Sequence, residues 1–333
     1  MDLVTGATGH IGNVLIRQLI SQGRHVRALV LPGEDLSPLE DLSIAFVEGD
    51  VLDAQALDNA FQGVENVFHL AGIISIMPGN NELLKMVNVI GTRNILHAAR
   101  KNGIHRLIYT SSIHAIRRVP PGITIDEQIP FDPQHAISSY DLSKAQASLE
   151  VLQAAQSGLD AVIVCPTGVI GPYDYRRSEL GQIILGCVLK QPQVYIDGAY
   201  DFVDVRDVAQ GLIAASDKGM RGETYILSGE QVSVRRMLET IWKYTGKRFP
   251  PLRIPLHLAR FFTIFTPFYY RLLRLKPRLT PYSLETLLSN SSISHSKAHR
   301  ELGFTPRPFS DTISDTVKWF IENLHLFKPD PTH

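Results

Sequence analysis

Cysteine is scarce. Only Cys165 and Cys187 occur in 333 residues, and they form no C-x-x-C pair, so neither a disulfide framework nor a four-ligand zinc site is encoded. No metal site is expected, and a reducing, cytoplasmic setting suits such a chain. Net charge is missing as well. Thirty-three Lys and Arg balance 33 Asp and Glu, which leaves no global field to draw the chain toward nucleic acid. A small-molecule substrate is the expected partner. No basic n-region or long apolar segment precedes Gly6, so no export signal is read. The apolar stretch from Phe261 to Tyr270 is bounded by Arg260 and Arg271, far short of the roughly 20 residues a bilayer requires. With 44% hydrophobic and 20% charged residues, a chain of this length can build a large core without staples.

Through the first half, short β-branched-rich runs alternate with longer helical patterns. Leu3–Thr5, His25–Leu31, Ile44–Val47, Asn66–Leu70, Arg106–Thr110 and Ala161–Cys165 read as strands. Ile11–Gln22, Ala54–Phe61, Asn81–Asn102 and Ser138–Ser157 read as the helices between them. Strands joined by such crossovers lie parallel and are covered on both faces, giving a doubly wound α/β sheet of the Rossmann kind. After Pro166 the pattern changes. Pro166–Val203 reads as loop and helix, Phe202–Val208 and Thr224–Leu227 return to strand-like character, and Val234 onward is mostly helical. The expected division is a dinucleotide-binding domain over 1–166, with 202–228 returning to it. A smaller, mostly helical substrate domain is expected from 167–201 and 229–333.

Gly6, Thr8, Gly9, His10, Ile11 and Gly12 follow the first strand and open the first helix. Glycines three apart allow a tight turn and a close backbone approach to a pyrophosphate, while the helix N-terminus offers unpaired N–H groups to the anion. This is a dinucleotide-binding loop. Neither an acid nor an Arg ends the second strand at Leu31; Glu34 and Asp35 lie beyond a Pro32-Gly33 turn. Either NAD or NADP is therefore accommodated, with the missing acid tilting the expectation toward NADP. Asp50 and Val51 follow the third strand, where a carboxylate can accept the adenine amino group, and Asp53 reads as a helix cap.

Tyr140 and Lys144 stand four apart in an expected helix, on one face and a turn from each other. A phenol is a poor acid and base at neutral pH; a neighbouring ammonium favours the phenolate, which general acid/base work needs. The fifth strand ends in Thr110-Ser111-Ser112, bringing hydroxyls to the carboxyl edge of the sheet, where open α/β sheets bind ligands. Ser112 is the expected donor to a substrate oxygen, with Ser111 the alternative one register away. Tyr173, Tyr175, Tyr200 and His114 are candidates for the substrate wall or for packing. Asp204 and Asp207 read as helix caps and braces.

The ordered motifs Thr5–Gly12, Gly49-Asp50, His69–Gly72, Asn88–Thr92, Thr110–Ser112, Tyr140–Lys144, Pro166–Pro172, Phe202–Val208 and Lys297–Gly303 together resemble the extended short-chain dehydrogenase/reductase family, the NAD-dependent epimerase/dehydratase group. Within it the chain is similar to bacterial proteins related to dihydroflavonol 4-reductase and 3β-hydroxysteroid dehydrogenase. The resemblance implies an NAD(P)-dependent oxidoreductase interconverting a hydroxyl and a carbonyl on an apolar or mixed substrate. It gives Tyr140 as acid/base, Lys144 as the residue lowering its pKa and holding the nicotinamide ribose, and Ser112 as the substrate-oxygen donor. Asn88 corresponds to a helix Asn near the catalytic Lys. Leu70, Ala71 and Gly72 fall where the cofactor backbone passes, and Pro166, Thr167, Gly168 and Val169 near the nicotinamide carboxamide. The alternatives are a sugar-nucleotide epimerase or dehydratase that retains its cofactor, and a non-catalytic dinucleotide sensor. Departures from the family pattern at Cys165, Gly198–Asp201 and Arg117 argue against nucleotide-sugar and plant-flavonoid substrates. Relatives also pair through the helices holding Asn88 and Tyr140, so a homodimer is one expectation and the monomer the other.

Residues 254–279 are rich in Phe, Tyr and Leu and carry Arg260, Arg271, Arg274, Lys276 and Arg278 without an acid. Packing of the substrate domain accounts for such a segment; a peripheral contact with an anionic membrane surface is the alternative reading.

Overall fold

The computed structural model describes residues 1–75, 82–246, 252–261 and 281–327. The first half runs β1 (Asp2–Thr5), α1 (His10–Ser21), β2 (Val26–Val30), β3 (Ala45–Glu48), α2 (Ala54–Ala60), β4 (Asn66–His69), α3 (Glu82–Lys85), a π-helical turn (Met86–Gly91), α4 (Thr92–Lys101), β5 (Arg106–Thr110), α5 (Ser139–Gln156) and β6 (Ala161–Pro166). The second half adds β7 (Gly168–Ile170), α6 (Glu179–Val188), β8 (Val194–Tyr195), β9 (Ala199–Asp204), α7 (Val205–Lys218), β10 (Thr224–Leu227), β11 (Glu230–Ser233), α8 (Val234–Thr245) and β12 (Leu252–Arg253). Three further helices are numbered α9 (Pro281–Leu288), α10 (Ser296–Leu302) and α11 (Phe309–Glu322).

Seven parallel strands form the main sheet in the order β10-β6-β5-β4-β1-β2-β3. Because successive side chains point to opposite faces, neighbouring residues of one strand enter different cores. Leu3, Val67, Leu107 and Ile163 pack under α2, α4 and α5. Val4, Phe68, Ile108 and Val164 pack under α1 and α7. That double burial is why these strands read as continuous apolar runs rather than as alternating ones. A third core, including Ile170, Phe202, Val232, Leu238, Ile313 and Phe320, lies between a three-stranded sheet (β11-β9-β7) and α6, α8 and α11.

Three expectations need correction. The strand-like run Phe202–Val208 splits, β9 ending at Asp204 and α7 starting at Val205, because the Asp204 carboxylate caps the Arg206 N–H at 2.8 Å. Within Asn81–Asn102, Asn81 lies outside the described residues, and the rest is interrupted by the π turn around Asn88. Such a turn inserts an extra residue into the helix and is frequent at functional sites. Pro166–Val203 contains strands β7, β8 and most of β9 as well as helix and loop. Of the basic aromatic run 254–279, residues 262–279 lie outside the described residues. No described helix is long and apolar enough to cross a membrane.

Candidate active site

The strand order reverses direction between β1 and β4, which opens a crevice at their carboxyl ends. The loop after β1 is built to let backbone come close. Gly6 has φ +68°, and a Cβ there would lie 2.8 Å from the Ala71 nitrogen; a Cβ on Gly12 would lie 2.2 Å from the Gly6 carbonyl oxygen. Gly9 is the N-cap of α1, makes no side-chain cap bond, and no acid occupies the first turn. The first N–H groups of α1 therefore face the crevice without a side-chain partner, which is the donor set a pyrophosphate requires. Thr5 Oγ1 accepts from Leu70 N at 3.2 Å and Ala71 N at 3.0 Å, and so sets the β4 loop against the glycine loop. Beneath it His69 bonds Thr5 Oγ1 at 2.8 Å and Thr92 Oγ1 at 2.9 Å. Burial holds its imidazole down to about 3, so it is neutral and structural.

Several loop residues sit differently from the simplest expectation. His10 donates to or accepts from no part of its own loop; its Nε2 bonds the Pro172 carbonyl at 2.9 Å. Thr8 donates to Glu34 Oε1 at 2.6 Å, and Leu31 N donates to Glu34 Oε2 at 2.9 Å. The Pro32-Gly33 turn, with Gly33 at φ +72°, thus folds Glu34 back onto the end of β2. An acid does stand beside Thr8 of the glycine loop. Asp50 Oδ1 accepts from Leu52 N at 2.9 Å, Val51 is buried, and Asp53 caps α2 through Gln55 N and Ala56 N.

Tyr140, Lys144 and Ser112 are each under 9% exposed and meet at the end of β5. Ser111 turns inward to bond Ser148 Oγ at 2.6 Å, whereas Ser112 faces Tyr140 closely enough to pull its pKa down by hydrogen bonding. Burial outweighs that bond and lifts Tyr140 to about 12. Lys144 donates to the Thr110 carbonyl at 2.9 Å and lies 5.1 Å over the Tyr109 ring. Its ammonium is depressed to about 8, again by burial. The Ser112 hydrogen bond is what opposes burial at Tyr140. Gly72 packs against both Lys144 and Asn88: a Cβ there would lie 3.5 Å from Lys144 Nζ and 3.1 Å from Asn88 Oδ1. Asn88 accepts from Ile73 N at 2.7 Å and donates to Ile73 O at 2.9 Å and Ser143 Oγ at 3.0 Å. It clamps the β4 loop to α5. Thr167 donates to Asp201 Oδ1 at 2.6 Å, and a Cβ on Gly168 would strike the Tyr200 ring at 2.9 Å. These contacts fix the segment from Pro166 to Val169 against β9.

A second group of residues, mostly unmarked in the sequence, surrounds Tyr140. The His114 ring lies edge-on to Tyr140 at 6.3 Å and tilted to Tyr282 at 6.1 Å. Burial lowers the His114 pKa, with Asp141 acting against it. Tyr282 donates to the buried Asp141 at 2.6 Å, and Arg118 approaches the other Asp141 oxygen at 3.5 Å. Beside this group opens a cavity of about 570 Å³, lined by Arg118, Val119, Leu284 and Leu288 among others. It does not include Tyr140 itself; Arg118 and the helix carrying Tyr282 join the two. Tyr173 and Tyr175 pack on Trp319 instead. Asp204 and Asp207 hold Arg206 and Arg307, as braces do. His295 and His299, four apart in the chain, bond Ser228 and the Phe304 carbonyl, and no described group of three ligands surrounds a metal position.

A glycine-lined crevice at the switch point of a doubly wound sheet, with a buried Ser, Tyr and Lys at its rim, defines a nicotinamide-dependent oxidoreductase. The chain belongs to the NAD dependent epimerase/dehydratase family, whose profile matches residues 3–228. It is 36% identical over 326 residues to sterol demethylase protein B of Methylococcus capsulatus, covering 96% of this chain and 98% of that protein. It is also 36% identical over 321 residues to a putative dihydroflavonol 4-reductase of Synechocystis, covering 95% and 93%. Among solved structures, that of gox2253 superposes with a TM-score of 0.85 at 32% identity, covering 97% of this chain and 98% of that one.

Proposed function

We propose that the protein interconverts a secondary alcohol and a ketone on a small molecule with an apolar body, using NAD, with Tyr140 exchanging the proton. The observation that carries this reading is the pair of buried hydroxyls, Ser112 and Tyr140, facing each other at the carboxyl end of β5 beside the glycine-lined crevice. When bound, the dinucleotide supplies the hydride acceptor or donor. Ser112 holds the substrate oxygen by hydrogen bonding, and Tyr140 donates a proton to it in reduction or removes one in oxidation. At neutral pH the buried Tyr140 is a phenol, the form that donates. Lys144, anchored on Thr110, brings the positive charge that stabilises a phenolate. Exclusion of water by the surrounding rings strengthens each of these interactions.

Two further points refine the reading. His114, Tyr200 and Tyr282 line one side of Tyr140, and Val119, Leu284 and Leu288 line the adjoining cavity. These suit a ring-bearing apolar substrate, and the sterol named for the Methylococcus relative agrees with that chemistry. The cofactor is NAD rather than NADP: Glu34, folded back beside Thr8, is a carboxylate that accepts ribose hydroxyls and repels a 2′-phosphate. The bare end of β2 had pointed the other way.

A panel of cyclic ketones and secondary alcohols, followed by nicotinamide absorbance, tests the reading against nucleotide-sugars. Absorbance change with the apolar compounds is the expected result. Conversion of a nucleotide-sugar without net cofactor turnover would overturn it.

A further inference from the structure

The glycine loop from Gly6 to Gly12 contains no Lys or Arg, so its anion-binding power comes from backbone dipoles alone. A cation reaches it from the other lobe. Arg176 lies in the segment between β7 and α6 and donates to both Thr8 Oγ1 and Glu34 Oε1. That segment is pinned to α1. His10 bonds the Pro172 carbonyl at 2.9 Å, Asn13 Nδ2 donates to the Tyr173 carbonyl at 3.2 Å, and Arg17 lies 4.9 Å over the Tyr173 ring. Its turn is fixed from within by the buried Asp174, which accepts from Ser178 N and Oγ. The backbone that presents Arg176 is therefore held, while its side chain is 51% exposed and can change partner.

The accounting at Glu34 says when it does so. A carboxylate has about four acceptor positions. Thr8 and Leu31 each take one, and Arg176 takes another. Two ribose hydroxyls require two, so they displace Arg176. From this we propose that Arg176 is a ligand of the cofactor's pyrophosphate, exchanging the Glu34 carboxylate for a phosphate oxygen as the dinucleotide enters. The proposal rests on the NAD reading above. It assigns a cofactor contact to the segment between β7 and α6, whose backbone already rests on α1.

Calorimetry on the purified full chain separates the two claims. Wild-type protein that bound no dinucleotide would sink the NAD reading itself. Given binding, Arg176→Leu is expected to weaken NAD and ADP-ribose about tenfold or more, the worth of a charge-assisted hydrogen bond. Adenosine, which has no phosphate, is expected to bind Arg176→Leu at least as tightly as the wild type, because its ribose no longer has a guanidinium to displace from Glu34. Arg176→Lys should fall between, because it keeps a point charge without the fork. The salt dependence of wild-type binding should flatten in Arg176→Leu. Unchanged NAD affinity in Arg176→Leu, with its thermal midpoint intact, would overturn the proposal. So would equal weakening of adenosine and NAD, or a loss confined to NADP, which would make Arg176 a 2′-phosphate ligand.

Discussion

Tyr200 and His114, 86 residues apart, share a hydrogen bond of 2.7 Å between the phenolic oxygen and Nε2, with their rings stacked at 5.9 Å. One residue comes from β9 and the other from just beyond Ser112, so the bond ties the three-stranded sheet to the end of β5. Tyr200→Phe keeps the stack and removes the bond. We expect a stability loss of about 1 kcal/mol by urea unfolding. KM for the alcohol should rise more than kcat falls, because the wall loosens while the acid/base stays.

Tyr140→Phe removes the transferable proton and keeps the ring. Turnover should fall by about 10²–10⁴-fold, the usual worth of a general acid, with the calorimetric affinity for NAD unchanged. A variant with near wild-type kcat would assign the proton to another group.

Lys144 gives a pH signature. Its folded value of about 8 lies below the roughly 10.4 of a solvated lysine, so between those values the unfolded chain holds the extra proton. Stability of the ligand-free protein therefore gains from this group as pH rises through the window, and the gain is lost as pH falls through about 8. The buried Cys165 thiol, raised by burial to about 12, acts in the opposite direction above pH 9. Comparison with Lys144→Met, which keeps Cys165, isolates the lysine: the wild type should show the additional upward slope. Turnover that depends on the ammonium should decline above about pH 8.

Glu34→Gln retains an acceptor and removes the charge. The ratio of NAD to NADP affinity, measured side by side, should move toward NADP by about tenfold, as loss of a repelled 2′-phosphate contact requires. An unchanged ratio would show that Glu34 does not choose the cofactor.

Much of this arrangement was legible in the chain because it depends on local spacing. The glycines, the strand before them and the helix after them specify the phosphate loop, and the four-residue step from Tyr140 to Lys144 fixes a shared helix face. Ser112 is the donor expected from the chain, while the partner that turns Ser111 away, Ser148, stands 37 residues off and gives no signal in the sequence. Glu34 lies beyond its turn in the chain, but Gly33 reverses the backbone and returns the carboxylate to Leu31, which spacing alone does not reveal. The Asp204 cap that divides β9 from α7 was visible as a residue, yet the apolar run across it masked the change of period. Tyr282 and Arg118 carry no spacing signal at all, because only the tertiary fold brings them to Asp141.

The position of β10 also bears on how the polypeptide comes off the ribosome. β10 closes the sheet beside β6, but it is synthesised only after β7, β8, β9 and their helices. Until then β6, buried at all six positions in the finished protein, is an open sheet edge, the kind that pairs with another chain. A nascent or truncated chain ending near residue 166 would therefore carry the complete glycine loop and still be prone to self-association. A fragment that runs through Leu227 carries the strand that pairs with β6.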